Sequence, residues 1–172
     1  MPPINDTALW WVAVDGWQID AGEVPDLAVG STAEFPLEFS WLRPPIEAGG
    51  PIQRQQVRQS TYRVTGELRS RPDGVNVIDV GSQVRQSVGE ADWYNQESLH
   101  PQGMVAGTLS IGVDITWWPG QPSEFLRRWR IIEMIEFVPK AGGAKRGSWR
   151  PVSRTERTFM TSKYKVHCEL LG

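Results

Sequence analysis

The sequence contains a single cysteine, Cys168, and this excludes an intrachain disulfide. Small secreted domains usually depend on several disulfides, so one cysteine favours a reducing compartment, and we expect the cytoplasm. No stretch approaches the roughly 18 consecutive apolar residues that a membrane-spanning helix needs. The opening MPPINDTALWW has neither the basic segment nor the apolar run of a signal peptide, so we expect none.

Sequence motifs of catalysis and phosphate binding are also missing. Neither G-x-S-x-G nor G-x-x-x-x-G-K-[ST] occurs, which argues against a nucleophile elbow and a phosphate-binding loop. The chain has only two histidines, and we predict no catalytic residue, no cofactor and no metal. His167 and Cys168 are adjacent, but neighbours on a strand point to opposite faces. We therefore expect Cys168 in the core and His167 in solvent.

Tryptophan, glycine and proline are abundant instead. The 172 residues include nine tryptophans, and the 17 glycines and 13 prolines are spread along the chain. This spread favours many short strands and turns over long helices. The length suits one domain, so we predict a single β domain over residues 1–172.

Alternation of apolar and polar residues marks the strands. It predicts strands near residues 9–14, 33–41, 62–69, 75–81, 82–88, 105–117 and 163–170. Residues 124–138 fit helix or strand, and their β-branched content favours strand. Pro36 cannot donate a ladder hydrogen bond, so we expect its strand to lie at an edge or to bulge there. Long loops are predicted at about 43–60 and 89–103, with at most one short helix in the chain.

Two segments with the same short pattern favour a small barrel. Val64-x-Gly66-x-Leu68 matches Val105-x-Gly107-x-Leu109 as V-x-G-x-L. Glycines inside strands allow the tight coiling that a small barrel needs. The predicted fold is therefore all-β and mainly antiparallel, a small barrel or sandwich of about eight strands.

Charge is distributed unevenly along the chain. Residues 1–50 carry a net charge of −7, residues 51–139 of −1 and the basic segment 140–172 of +6, which add to the overall −2. Because the basic residues are interspersed with others, we expect the two ends to complement each other within the fold. The alternative is that the basic segment binds an acidic partner or nucleic acid.

Both termini resemble a known family. Asp15-Gly-Trp17-Gln18, followed by Val29-Gly30 before an alternating strand, resembles the opening of a family of short uncharacterised bacterial β-domain proteins of unknown function. Arg157-Thr-Phe159 and Tyr164-Lys-Val166 resemble that family's last strand. The family has cysteines after the Trp-Gln pair, where this chain has Ile19-Asp20-Ala21. The resemblance implies a small β domain and brings no activity with it.

The most conspicuous stretch is TWWPGQPSEFLRRWR, residues 116–130. As a hairpin it places Trp117 and Trp129 in the core and leaves Trp118 beside Arg128 or Arg130. The indole of Trp118 could then form a cation–π contact with a guanidinium group. A second aromatic pair, Trp93 and Tyr94, lies in the polar segment 89–103. These five residues, Trp93, Tyr94, Trp118, Arg128 and Arg130, are our candidates for binding a partner.

Three functions remain open at this point. We expect a non-enzymatic β-domain that acts through protein–protein contacts, such as an accessory or immunity-type protein of a bacterial system. The alternative is a small-molecule-binding or catalytic barrel, for which the candidate ligand residues are Asp92, Glu97, His100 and Asp114. A third function is the binding of single-stranded nucleic acid, against which the acidic isoelectric point argues. The sequence predicts no oligomeric state and no identity for the partner.

Overall fold

The computed structural model describes residues 8–87, 102–114, 116–141, 143–156 and 162–172, with the backbone alone for 143–145. Among the described residues, strands make up 61% and helix 4%, which confirms the predicted all-β class. The elements are β1 (Leu9–Asp15), α1 (Gly16–Asp20), β2 (Thr32–Trp41), β3 (Ile46–Glu47), β4 (Gln53–Arg58), β5 (Thr61–Ser70), β6 (Asn76–Asp79), β7 (Gln83–Gln86), β8 (Gly103–Val113), β9 (Leu126–Lys140), β10 (Gly143–Pro151) and β11 (Lys163–Leu171). No helix in these described ranges is long and apolar enough to cross a membrane.

Eight strands close into a barrel, which decides between the two predicted architectures. Around the ring the order is β2–β9–β11–β1–β8–β5–β6–β7, and β7 pairs with β2 again. The β1–β8 and β2–β7 pairs are parallel, and the other pairs in the ring are antiparallel. β2 and β8 also pair with each other through Leu37–Trp41 and Leu109–Val113. Outside the ring, β3 pairs with β8, β4 pairs with β5 and β10 pairs with β9.

Aromatic side chains fill the interior of the barrel. The indole Nε1 of Trp129 donates a hydrogen bond to the carbonyl oxygen of Phe35 at 2.9 Å, and the two rings stack with centroids 5.7 Å apart. Trp10 meets Trp129 edge-on at 6.4 Å and lies 6.0 Å from the ring of Tyr62. The guanidinium carbon of Arg54 lies 3.4 Å from the centre of the Trp10 ring. Trp129 and Cys168 are fully buried, which confirms both as core residues.

The two V-x-G-x-L segments lie side by side in adjacent strands. Val64 of β5 faces Gly107 of β8, and Gly66 faces Val105. A Cβ atom on Gly107 would lie 2.6 Å from a ring carbon of Trp41, and one on Gly66 would collide with the carbonyl oxygen of Asp79. Both glycines therefore make room for parts of the barrel that pack directly against the sheet.

The predicted loop at 43–60 is wrong in part, because it contains β3 and β4. β4 pairs with β5 from Gln53 to Arg58, yet most of its side chains are exposed. A strand with one partner and two largely solvated faces needs no alternation of apolar residues, so its sequence carries no strand signal. The predicted loop at 89–103 lies outside the described residues except for its last two positions, and Gly103 already belongs to β8.

Of the two alternatives predicted for the Pro36 strand, an edge position or a bulge, the edge position is wrong. β2 is paired with β9 as far as Pro36 and with β8 from Leu37 onward, and it also pairs with β7. Pro36 lies where the β8 ladder ends, so the missing N–H falls at the end of that ladder. Its carbonyl oxygen still accepts a hydrogen bond from the N–H of Asp114 at 3.0 Å.

We expect Gly66→Ala to lower the free energy of unfolding by about 1–3 kcal/mol, because the new methyl group meets backbone that cannot move without shifting β6. Gly49→Ala is the matched control, since a Cβ there meets nothing within 4 Å. Urea unfolding followed by circular dichroism measures both variants. Equal stability of the two variants would show that β5 and β6 do not approach each other this closely.

Candidate functional site

A turn over residues 116–122, closed by hydrogen bonds to Gln121, exposes its two adjacent tryptophans to different extents. The hairpin predicted here is wrong, because β8 ends at Val113 and β8 and β9 each pair with β2. Trp117 is nevertheless 6% exposed, which confirms it as a core residue, whereas Trp118 is 45% exposed. The Nε1 of Trp117 donates to the carbonyl oxygen of Gln121 at 3.0 Å, and the backbone N–H of Trp118 donates to the Gln121 side chain at 3.2 Å. Gly120 has a φ of 90°, which favours glycine. Trp118 is therefore held by backbone and side-chain hydrogen bonds while its indole faces solvent.

A surface groove of about 640 Å³ runs between this turn and the start of β2. We call it the turn groove. Its lining residues are Pro25, Thr32, Ala33, Glu34, Trp117, Pro119, Gly120, Gln121, Pro122, Leu126 and Arg128. The walls are largely apolar, and the side chains with a full charge are Glu34 and Arg128, which are cross-strand neighbours in the β2–β9 ladder.

The two predicted arginines have different environments. Arg128 lines the turn groove, whereas Arg130 lies two residues further along β9 and forms a salt bridge with Glu169 at 2.7 Å. The cation–π contacts found in the described part of the chain involve other rings, namely those of Trp10, Tyr62, Phe125 and Trp149. Among the described residues, Trp118 forms no cation–π contact. The structure therefore places Arg128 in the groove but does not form the stacked Trp118–arginine pair that the sequence predicted.

Asp114, a candidate for the alternative ligand site, is buried and fully engaged. Its carboxylate accepts hydrogen bonds from the backbone N–H and the hydroxyl of Thr116, at 2.8 and 2.7 Å, and from Nη1 of Arg85 at 3.1 Å. A carboxylate with three internal donors fixes the end of β8 and has little capacity left for a ligand. Asp92, Glu97 and His100, and the aromatic pair Trp93 and Tyr94, lie outside the described residues.

His167 and Cys168 point to opposite faces of β11, as the sequence predicted. The thiol of Cys168 is buried against the carbonyl oxygen of Trp10, and burial raises its pKa. His167 is only partly exposed, because its ring stacks on Trp11 with centroids 4.8 Å apart. Within the ranges that the structure describes, no three His, Cys, Asp or Glu side chains gather where a metal ion could be held.

A second hollow, which the sequence did not reveal, lies where the turn between β4 and β5 meets the outer face of β11 and β10. We call it the lysine cleft, and its lining residues are Arg58, Gln59, Ser60, Thr61, Trp149 and Lys165. Nζ of Lys165 donates a hydrogen bond to Oγ of buried Ser60 at 2.6 Å. Burial lowers the pKa of Lys165; the carboxylate of Asp15 opposes this shift, and the nearby cations Arg58 and Lys163 add to it.

Comparisons with known proteins give no relative. No protein-family model, no curated protein and no solved structure matches the chain. The resemblance of the two termini to short bacterial proteins of unknown function therefore stays a prediction, and the two surface hollows are the basis for any functional proposal.

The lowered pKa of Lys165 predicts a pH-dependent stability difference. In the unfolded chain the ammonium titrates near its ordinary value of 10.5, and in the folded protein it titrates lower. Between these two pKa values Lys165 holds its proton in the unfolded chain but not in the folded protein, so the free energy of unfolding of the wild type rises with pH. Below both values Lys165 is charged in both states, and the cost of burying the charge is fully present. Lys165→Met lacks this ammonium. We therefore expect the stability of the variant relative to wild type to fall as pH rises from neutral towards 10.5.

Urea unfolding of both proteins at a series of pH values measures this difference. Loss of the hydrogen bond to Ser60 adds an offset that does not depend on pH, so the slope is the informative quantity. A stability difference that stays constant from neutral pH to 10.5 would show that the ammonium is as well solvated in the folded protein as in the unfolded chain.

Proposed function

We propose that the domain acts without catalysis, by binding a protein partner through the turn groove and Trp118. The observation that carries the proposal is the exposure of a large aromatic side chain on a turn that is already ordered. Buried aromatic anchors contribute most of the energy of many protein interfaces. An anchor on a turn whose backbone is already ordered loses less backbone entropy on binding than an anchor on an unstructured segment.

The shape and chemistry of the turn groove support a peptide segment as the bound part of the partner. Three prolines and Leu126 offer apolar surface, while Gln121, Glu34 and Arg128 offer polar groups. Protein interfaces combine apolar contact surface with polar groups in this way. Glu34 and Arg128 have opposite charges side by side, so a partner with one acidic and one basic group in the same spacing would be favoured.

The alternative functions receive less support from the described residues. Asp114 is engaged by internal donors, so one of the four candidate ligand residues contributes no open carboxylate. Arg130 is paired with Glu169, and the groove holds one acidic side chain beside its one basic side chain, which is unfavourable for a nucleic-acid phosphate backbone. A protein partner is therefore the better fit to this surface.

We expect Trp118→Ser to weaken binding of the partner at least about tenfold, because truncation of an aromatic anchor typically costs 2 kcal/mol or more. The measurement is a quantitative pull-down from native cell extract with the tagged full chain, followed by titration of the captured protein. Ile132→Ser is the matched control, since Ile132 is 39% exposed on β9, outside both the turn that carries Trp118 and the turn groove.

Capture that is lost with Trp118→Ser and kept with Ile132→Ser would support the proposal. Equal capture by both variants would show that Trp118 is not an anchor. A pull-down with the wild-type chain that returns no specific protein would count against a protein partner altogether.

A further inference from the structure

Cations and hydroxyl groups line the lysine cleft. Arg58 and Lys165 supply the charges, Ser60 and Thr61 supply the hydroxyl groups, and none of the six lining residues is acidic. The cleft has a volume of about 240 Å³, which suits a small molecule rather than a protein segment.

Hydrogen-bond donors in the cleft exceed the acceptors that the protein provides. The Lys165 ammonium has three N–H donors, and the hydrogen bond that the structure gives it goes to Ser60. With its oxygen accepting from Lys165, Ser60 can still donate its own hydroxyl proton. In the described ranges the guanidinium of Arg58 forms no hydrogen bond or salt bridge. A ligand that accepts several hydrogen bonds would therefore complement this set of donors.

The charge balance favours an anion in the same place. The carboxylate of Asp15 favours the charged form of Lys165. Among the described residues, however, no carboxylate oxygen lies within 4.0 Å of the Lys165 ammonium. Arg58 from β4 and Lys163 from β11 both disfavour the charged form of Lys165, and its partial burial disfavours it further. An anion between Arg58 and Lys165 would screen this repulsion and replace lost solvation.

Trp149 forms an aromatic wall beside these donors. The ammonium of Lys165 lies 5.8 Å from the centre of its ring, and the ring packs against Phe137 with centroids 5.4 Å apart. Packing against Phe137 limits the movement of the indole, which remains only partly buried. The flat surface of an indole suits an apolar or aromatic group next to an anionic head.

We propose that the lysine cleft is a binding site for a small molecule that carries a carboxylate or phosphate group, held by Lys165, Arg58 and Ser60, with its aromatic or apolar part against Trp149. The shared chemistry is an oxyanion with several acceptor lone pairs beside a planar group. This site is separate from the turn groove, and it requires no catalytic step.

The test uses the full chain and four defined probes: benzoate, phenyl phosphate, inorganic phosphate and neutral phenol. Each is titrated while the indole N–H of Trp149 and the backbone amides of Gln59, Ser60 and Thr61 are followed by two-dimensional NMR. We expect saturable shifts with benzoate, phenyl phosphate or both, and a much weaker response to phenol and to inorganic phosphate. A response to one of the two aromatic anions identifies carboxylate or phosphate as the preferred group.

The variants are Arg58→Gln, Lys165→Gln and the control Arg69→Gln, an exposed arginine at the far end of β5 that pairs with Glu67. We expect the first two to bind the aromatic anions about tenfold or more weakly and Arg69→Gln to bind like wild type. Arg58 is exposed, so its variant tests the site even if Lys165→Gln fails to fold. Absence of saturable shifts, equal binding by Arg58→Gln and Arg69→Gln, or an equal response to phenol would overturn the proposal.

Discussion

Trp129 packs in the centre of the barrel, where its contacts join three strands that are distant from one another in the chain. Its indole binds the backbone of β2 through Phe35, stacks on that ring and meets Trp10 of β1, so one side chain on β9 fixes three strands. Trp10 continues this contact to Tyr62, whose hydroxyl accepts from the Trp11 N–H at 2.6 Å and donates to the Trp11 carbonyl oxygen at 3.2 Å. Burial in this cluster raises the pKa of Tyr62 to about 12, as expected for a phenol that is enclosed by the barrel.

The same strands that fill the interior also position the two candidate sites. On β9 the indole of Trp129 points inward, and Arg128, the preceding residue, points outward into the turn groove. On β11 the side chains of Tyr164 and Val166 are buried, and Lys165 between them faces the lysine cleft. Strand alternation therefore couples each site to the core, because a shift of β9 or β11 by one residue would exchange the two faces. Binding groups on such strands are held more rigidly than groups on a free loop.

Local signals in the sequence were sufficient for much of the fold. The strands predicted near residues 62–69 and 75–81 pair as the β5–β6 hairpin, because two strands that follow each other closely in the chain are also neighbours in the sheet. Alternation predicted the burial of Trp117, Trp129 and Cys168. β4 could not be predicted, since its exposed polar residues carry no periodic pattern. The lysine cleft could not be predicted either, because Ser60 and Lys165 are 105 residues apart and only the closure of the barrel brings them together.

The free energy of unfolding of Trp129→Phe measures how strongly the Trp129 indole holds β9 against β2. Phenylalanine keeps an aromatic ring but removes the Nε1 hydrogen bond to Phe35 and leaves space beside Trp10. We expect a loss of roughly 1–3 kcal/mol in urea unfolding, together with faster amide hydrogen exchange along both β2 and β9. A variant as stable as wild type, with unchanged exchange in the two strands, would show that the indole does not hold the strands together.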